Sequence, residues 1–495
     1  MTHRINIAFS IWMLSLSAFA APNDWVNQKL REFDKNPAEF IANPDNIAKF
    51  NPDTFTPIQT AAPQRDVFEK DMMRKRVVDS SEYIGIRAVM DAQNDAKTFV
   101  DNFTLGDLKS IENRRLMTGQ LSINPWSDDY WPFYTTTIAK RYADRYFPFS
   151  KDWRTNANYI VSAHRNQIQN VDILSPAEKY DLLVGDSTWG LTAAMIGDGA
   201  AHQRSLGFVQ NWMGLCGGWA PASLFVARPA KAIRMVAADG RTEIIFYPSD
   251  TKALASLLWD RTPTDTRFLG TRCTNSNPGT DRNGRTLLSQ CFDTNPAGLH
   301  LALVNQIGIS DRGFVMDTTY DYEVWNQPVY AYKYTYFNPQ TRVGAATLEQ
   351  ATIPRSQFTN DYFAAHRSPD TVYVTGIAMT VSYVAETAPN HNVTDSAAQD
   401  LHKAVQYFYD LEQDANGNII GGEWYHRQHP DFLWTTVQGF KPRTAGDDEL
   451  NAMAEAVLWN GNGAVPPAWR NAARTSSRAG QPLTKIVEAL VARSQ

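Results

Sequence analysis

Cysteine is scarce in this chain: Cys216, Cys273 and Cys291 are the only ones in 495 residues. Three thiols permit one disulfide and leave one sulfur over. Long apolar runs are also missing. Beyond the first twenty residues, no stretch approaches the ~18 consecutive apolar residues that a membrane-spanning helix needs. An excess of positive charge is absent too. Lys and Arg number 47 against 52 Asp and Glu and are scattered, which argues against a nucleic-acid partner. No internal repeat and no low-complexity tract interrupts the chain.

The chain does carry a leader. Arg4 supplies a positive start, Ile5 to Phe19 are mostly apolar, and Ala18-Phe19-Ala20 is a small-x-small cleavage site. This pattern predicts a secretory signal over residues 1–20 and an exported, extracellular or periplasmic product. In an oxidising compartment, Cys273 and Cys291 read as a local disulfide across a Gly/Asn/Pro-rich stretch. That leaves Cys216 to be buried, to dimerise, or to act as a nucleophile.

Residues 21–76 read as a separate N-terminal region, broken by Asn36-Pro37, Asn43-Pro44 and Asn51-Pro52 and closed by Arg74-Lys75-Arg76. That basic triplet is a candidate propeptide processing site, or a solvated turn. Residues 77–390 are expected to form the catalytic core, and residues 391–495 a C-terminal helical region. Aromatics are abundant, with 14 Trp, 20 Tyr and 24 Phe, enough to build a substantial core or to line a groove for a polymer.

Ser175-Pro176-Ala177-Glu178 is a capping box with Pro at the first helical position, and it opens a helix through about Val184. Ile196 to Met213 is mostly helical or irregular. Strand signals dominate from Ala232 to Phe337, notably in Glu243–Tyr247 and Leu299–Val304, and return in Thr371–Ala385. Helices are expected over Asp395–Leu411 and Thr484–Arg493. Helix before the cysteine and sheet after it predict an α+β fold.

A thiol attacks an amide only as thiolate, so a nucleophilic Cys216 needs a histidine or a helix N-terminus. It lies in Gly214-Leu215-Cys216-Gly217-Gly218-Trp219-Ala220-Pro221. Pro221 places the helix start no earlier than about Gly218, leaving Cys216 just outside the first turn. Gly217 and Gly218 let backbone approach a substrate carbonyl. Gln210 and Asn211 are candidate oxyanion donors. His300, on the expected strand Gly298–Val304, is the candidate base. Counting through the following hairpin brings Asp317 within about one position of it. His366, His426 and His429 remain alternatives. Taken alone, a buried thiol and a surface His-Asp pair are the commoner explanations; the ordered combination favours a Cys-His-Asp site.

The chain resembles the transglutaminase elicitors, known from oomycete cell walls and marine bacteria. The blocks that carry the resemblance are Gly214–Pro221, Pro125-Trp126-Ser127-Asp128-Asp129-Tyr130-Trp131-Pro132, Val324-Trp325-Asn326-Gln327-Pro328-Val329 and Gly421-Gly422-Glu423-Trp424-Tyr425. The third block resembles the start of the surface segment that plants recognise, with Lys333 in its place, but Tyr330-Ala331 departs from the family's Arg-Gly. The resemblance covers roughly residues 120–440. It implies a papain-like, transglutaminase-type core with helical extensions at both ends. Cys216 is the implied nucleophile, His300 the base and Asp317 its orienting partner, with Trp219 among the aromatics that wall out water.

Glu412, Asp414, Asn416, Asn418 and Glu423 follow the ligand spacing of a calcium-binding EF-hand, with glycine at its sixth position. Position one is Glu instead of Asp, no clear helix follows, and Asp-Ala-Asn-Gly is a common turn. Calcium and a plain turn are both open; no organic cofactor is expected. The function expected is a secreted protein-glutamine γ-glutamyltransferase joining glutamine to lysine side chains of proteins. The alternatives are a papain-like peptidase or deamidase, or a surface protein that binds without catalysis.

Overall fold

The computed structural model describes residues 20–43, 46, 49–50, 94–165, 170–272, 275, 279, 288, 294–319, 323–426, 428–451 and 459–495. The secretory leader, the Arg74–Arg76 triplet and the Cys273–Cys291 pairing lie outside the described residues. Among the described residues, no helix is long and apolar enough to cross a membrane.

Among the described residues, the helices include α1 (Ala20–Lys35), α2 (Pro176–Val184), α3 (Gly190–Leu206), α4 (Cys216–Phe225), α5 (Pro248–Arg261), α6 (Pro296–Ala302), α7 (Pro467–Arg478) and α8 (Thr484–Arg493). Local chemistry sets several of their ends. The Ser175 hydroxyl accepts the Glu178 N–H while Glu178 accepts the Ser175 N–H, and Gly185 closes α2 in the left-handed conformation at φ 66°. Helices α2, α3, α5, α7 and α8 pack their apolar faces together, with Tyr180, Leu191, Leu257, Trp469 and Ile486 fully or nearly fully buried among them.

The sheet is antiparallel and runs in the order β5-β4-β3-β2-β7-β1. Its main strands are β1 (Thr266–Gly270), β2 (Phe314–Asp317), β3 (Asn326–Asn338), β4 (Tyr373–Ala385), β5 (Leu401–Gln413) and β7 (Phe432–Thr436); β6 (Ile419–Trp424) adds to β5, and four short strands pair at the margins. β4 and β5 pair without a break from Tyr373↔Gln413 to Ala385↔Leu401. Both faces of this pair are covered. Ile377, Met379, Tyr407 and Tyr409 join the main core, while Ala378 and Phe408 pack against Val26, Leu30 and Phe33 of α1.

The expected mixture of helix and antiparallel sheet is what the structure has, but three expectations fail. Leu299–Val304 is helical, not a strand: α6 begins at Pro296 and a π-helical turn continues to Ile309. Every residue of α6 is buried, so the apolar run shows no helical period; the Asn295 cap ahead of Pro296 was its only helical signal. Residues 395–411 are not helical either, because Leu401–Gln413 is the long strand β5. With both faces buried, its polar Asp410 and Glu412 point inward to Arg367, so the expected alternation is lost. It follows that 391–495 is no separate helical region. Its strands β5, β6 and β7 belong to the central sheet, and only its end is helical.

Candidate active site

Helix α4 begins at Cys216 itself, two residues earlier than Pro221 led us to expect. The Leu215 carbonyl accepts the Gly218 and Trp219 N–H groups at 3.0 and 2.8 Å. Pro221 lies inside the helix, where its missing N–H leaves the Gly217 carbonyl without a helical donor. Cys216 therefore sits in the first turn, where the helix dipole favours a thiolate.

The helix is seated on β2 and β7. Ala220 and Leu224 pack against Val315, Phe432 and Trp434, and this aims the Cys216 end at the start of β3. There the Cys216 Sγ lies 3.7 Å from the Val324 carbonyl oxygen and 3.6 Å from Asn326 Nδ2. The orientation of the amide is fixed chemically. Trp434 Nε1–H can only donate, and it donates to Asn326 Oδ1 at 2.7 Å, so the Asn326 NH₂ must face the sulfur. The thiol itself is buried at 6% exposure.

The neighbouring glycines do different work. A Cβ on Gly218 would collide with the Ser256 carbonyl oxygen and come within 2.6 Å of the Asp260 backbone nitrogen, so this glycine lets α4 and α5 touch. A Cβ on Gly217 would meet only Asn326 Nδ2 at 3.7 Å and Asp260 Oδ1 at 3.8 Å. These are ordinary contacts, and Gly217 is half-buried beside the thiol.

The aromatic block Pro125–Pro132 leads up to the cysteine. The Leu215 N–H donates to the Tyr130 carbonyl at 2.6 Å, and the Tyr130 ring meets Trp325 edge-on at 5.5 Å. Three of the four sequence blocks thus converge on one place.

A family model described as "Transglutaminase elicitor" matches residues 98–447. The chain belongs to the transglutaminase elicitor family. No curated protein matches it. Among solved structures, the GP42 transglutaminase from Phytophthora sojae is similar at 23% identity and a TM-score of 0.48, covering 73% of this chain and 93% of that one.

Within this elicitor-family chain, the expected triad does not assemble. His300 lies on α6, fully buried, with Nδ1 bonded to the Tyr409 hydroxyl at 2.9 Å and its ring against Tyr334. It bonds neither Cys216 nor Asp317, and burial drives its pKa down to about 3, so it stays neutral. The strand-to-strand count failed because His300 is not on a strand.

Asp317 does serve the site, by a different route. It ends β2 directly opposite Asn326, and its Oδ1 accepts the Trp325 N–H at 2.9 Å and the Thr319 hydroxyl at 3.0 Å. It thereby holds the turn that presents Val324 and Asn326 to the sulfur. Of the alternative histidines, His426 packs between Phe40 and Phe408, and His429 stacks on Trp424.

Trp219 is likewise misplaced by expectation: it is fully buried in the main core, its indole donating to the Trp126 carbonyl at 3.2 Å. The aromatic pair nearest the cysteine in the chain's fold is Tyr130 with Trp325. Gln210 occupies the preceding turn, where its carbonyl accepts the Met213 N–H, and it makes no hydrogen bond to Cys216. Asn326, Trp434 and Asp260, which the structure places around Cys216 and Gly217, were not singled out by the sequence. Only Asn326, inside the Val324–Val329 block, carried a signal.

The EF-hand spacing also resolves differently. Asp414 to Asn418 is the tight turn between β5 and β6, with no helix on either side. The Asp414 carboxylate accepts the N–H groups of Asn416 and Asn418 at 2.9 and 2.8 Å and the Asn418 amide at 2.9 Å. Glu412 faces away into Arg367, Thr371 and the Ser368 N–H, while Glu423 stands across β5 from Asp410. Oxygens already committed to Arg367 and to the turn do not fit a calcium cage. Asn416 and Asn418 accordingly act as turn residues.

A cavity of about 350 Å³ opens on the sheet, lined by Gln120, Tyr330, Lys333, Thr380, Ser382 and His402 among others. None of the groups around Cys216 lines it.

Proposed function

We propose that this protein is a protein-glutamine γ-glutamyltransferase, exported by its leader, with Cys216 as the nucleophile. The observation that carries this reading is the seat of Cys216. It is the first residue of a helix, its sulfur is met by an oriented amide donor, and the half-buried Gly217 beside it leaves room for only ordinary contacts. Membership of the elicitor family supports the choice of a glutamine carboxamide as substrate.

In the acylation step the sulfur attacks the carboxamide carbon. A C–S bond forms, the C–N bond breaks, and the thiol proton leaves with the nitrogen as ammonia. A lysine amine then forms a C–N bond to the thioester carbon, the C–S bond breaks, and sulfur regains a proton. The Asn326 amide steadies the anionic sulfur at both ends of this cycle. Trp325 and Tyr130 wall the thioester from water, which would otherwise resolve it by hydrolysis.

The test is incorporation of a labelled primary amine into casein, followed together with ammonia release and repeated with Cys216→Ala. Loss of both signals in the variant supports the transferase. New peptide N-termini without amine incorporation would replace it with a peptidase, and ammonia release alone with a deamidase.

A further inference from the structure

We propose that Asp260 is the acceptor-amine subsite: its carboxylate receives the substrate lysine ammonium beside Cys216 and takes the proton that the amine must lose before it attacks. This rests on the transferase reading above. Gly217, half-buried beside the thiol, stands between two polar groups. The Asn326 amide, on one side, belongs to the sulfur. On the other side stands Asp260 Oδ1, 3.8 Å from where a Gly217 Cβ would sit.

The two carboxylate oxygens of Asp260 have separate surroundings. Arg261 Nε lies 3.1 Å from Oδ2 and is itself tied to Asp198 at 2.5 Å, so the side chain is held from behind. Oδ1 is the oxygen turned to Gly217, and the side chain keeps 22% exposure. Placement is also fixed through the backbone, because Gly218 packs directly on the last turn of α5.

An acceptor lysine arrives almost wholly protonated at neutral pH and cannot attack in that state. A carboxylate at the mouth of the site attracts the ammonium and accepts its proton. Burial pushes the Asp260 carboxyl up to about 6, against the opposing pull of Arg261, which makes it a better proton acceptor than an ordinary aspartate. In the transfer step the ammonium gives one proton to Asp260, the amine nitrogen bonds to the thioester carbon, and the C–S bond breaks. A second nitrogen proton goes to the departing sulfur, the third stays on the isopeptide nitrogen, and Asp260 returns its proton to water.

The experiment compares wild type, Asp260→Asn and Asp260→Glu, using a labelled diamine and a glutamine peptide, with circular dichroism as the folding control. For Asp260→Asn the amine KM is expected to rise by about tenfold, the worth of one charged hydrogen bond. Ammonia released per amine incorporated should rise in step, as water takes over the thioester. Asp260→Glu should recover part of the transfer. An unchanged amine KM in a folded Asp260→Asn overturns the proposal. So does a parallel fall in Cys216 alkylation by iodoacetamide, which would mean that Asp260 serves the thiol. If the wild type itself incorporates no amine, the transferase reading fails as well; a failure confined to Asp260 leaves that reading standing.

Discussion

Asn326 joins Trp434 to Cys216: its Oδ1 accepts the Trp434 indole N–H at 2.7 Å, and its Nδ2 reaches the sulfur at 3.6 Å. The indole decides which end of the amide faces the thiol. In Trp434→Phe that restraint disappears while most of the packing against Phe432 and Val315 remains. Iodoacetamide alkylation of Cys216 near neutral pH should slow by roughly tenfold, and further in Asn326→Leu. Equal rates in all three proteins would show that the amide does nothing for the thiolate.

Gly217 and Gly218 should separate cleanly on substitution. Gly217→Ala meets only ordinary contacts, so its melting temperature should stay near wild type while acyl transfer falls as a methyl group intrudes beside the thiol. Gly218→Ala must push α4 off α5 and should cost about 1–3 kcal/mol of stability. A thermal melt alongside the amine-incorporation assay checks both. Full activity in Gly217→Ala would mean that substrate does not enter there.

His300 should matter for stability and not for chemistry. His300→Gln breaks the bond to Tyr409 in the core and should destabilise by about 1–3 kcal/mol. The alkylation rate of Cys216 should not change. A large drop in that rate, with the fold intact, would return His300 to the active site.

Acid should expose the same buried imidazoles. Burial lowers both His300 and His426 to about 3, below the ordinary 6.5, so the folded state keeps them neutral while the unfolded chain binds protons. Their contribution is complete above pH 6.5 and is lost as pH falls towards 3, by up to ~1.4 kcal/mol per pH unit for each. Asp128 and Asp181, raised to about 7 by burial, act with the opposite sign and lose their contribution as pH rises from 3.8 to about 7. The histidine effect must therefore be read as a difference. Urea unfolding at pH 7.5 and pH 5 should show a smaller loss in His426→Leu than in wild type, and equal losses would refute it.

Asp414 tests the discarded metal site. Asp414→Ala removes three hydrogen bonds from the β5–β6 turn and should lower the melting temperature modestly. Millimolar calcium should leave the melting temperatures of both proteins where they were. A calcium-dependent rise in wild type that vanishes in Asp414→Ala would restore the site.

Local chemistry was legible wherever its partners lie within one turn. The Ser175–Glu178 box and the terminal helix Thr484–Arg493 appear at their expected positions. So does the strand read at Thr371–Ala385, which runs from Tyr373 to Ala385. Runs buried on every side were not legible. Leu299–Val304 and Leu401–Leu411 both lack the alternation between apolar and exposed positions that tells a helix from a strand. The EF-hand spacing misled for a related reason, because a hairpin turn and a calcium loop share the same small oxygen-bearing residues.

The sequence alone determined that Cys216 is the reactive candidate and which blocks surround it, because a cysteine flanked by glycines at a helix start is a local pattern. Only the tertiary structure decided its company. Asn326 and Trp434 lie 108 residues apart and meet only because β3 and β7 both flank β2. His300, inside a helix that its own run of residues does not announce, was carried into the core instead. Which side chains share a site depends on strand order, and strand order is fixed by long-range burial that no short window of sequence contains.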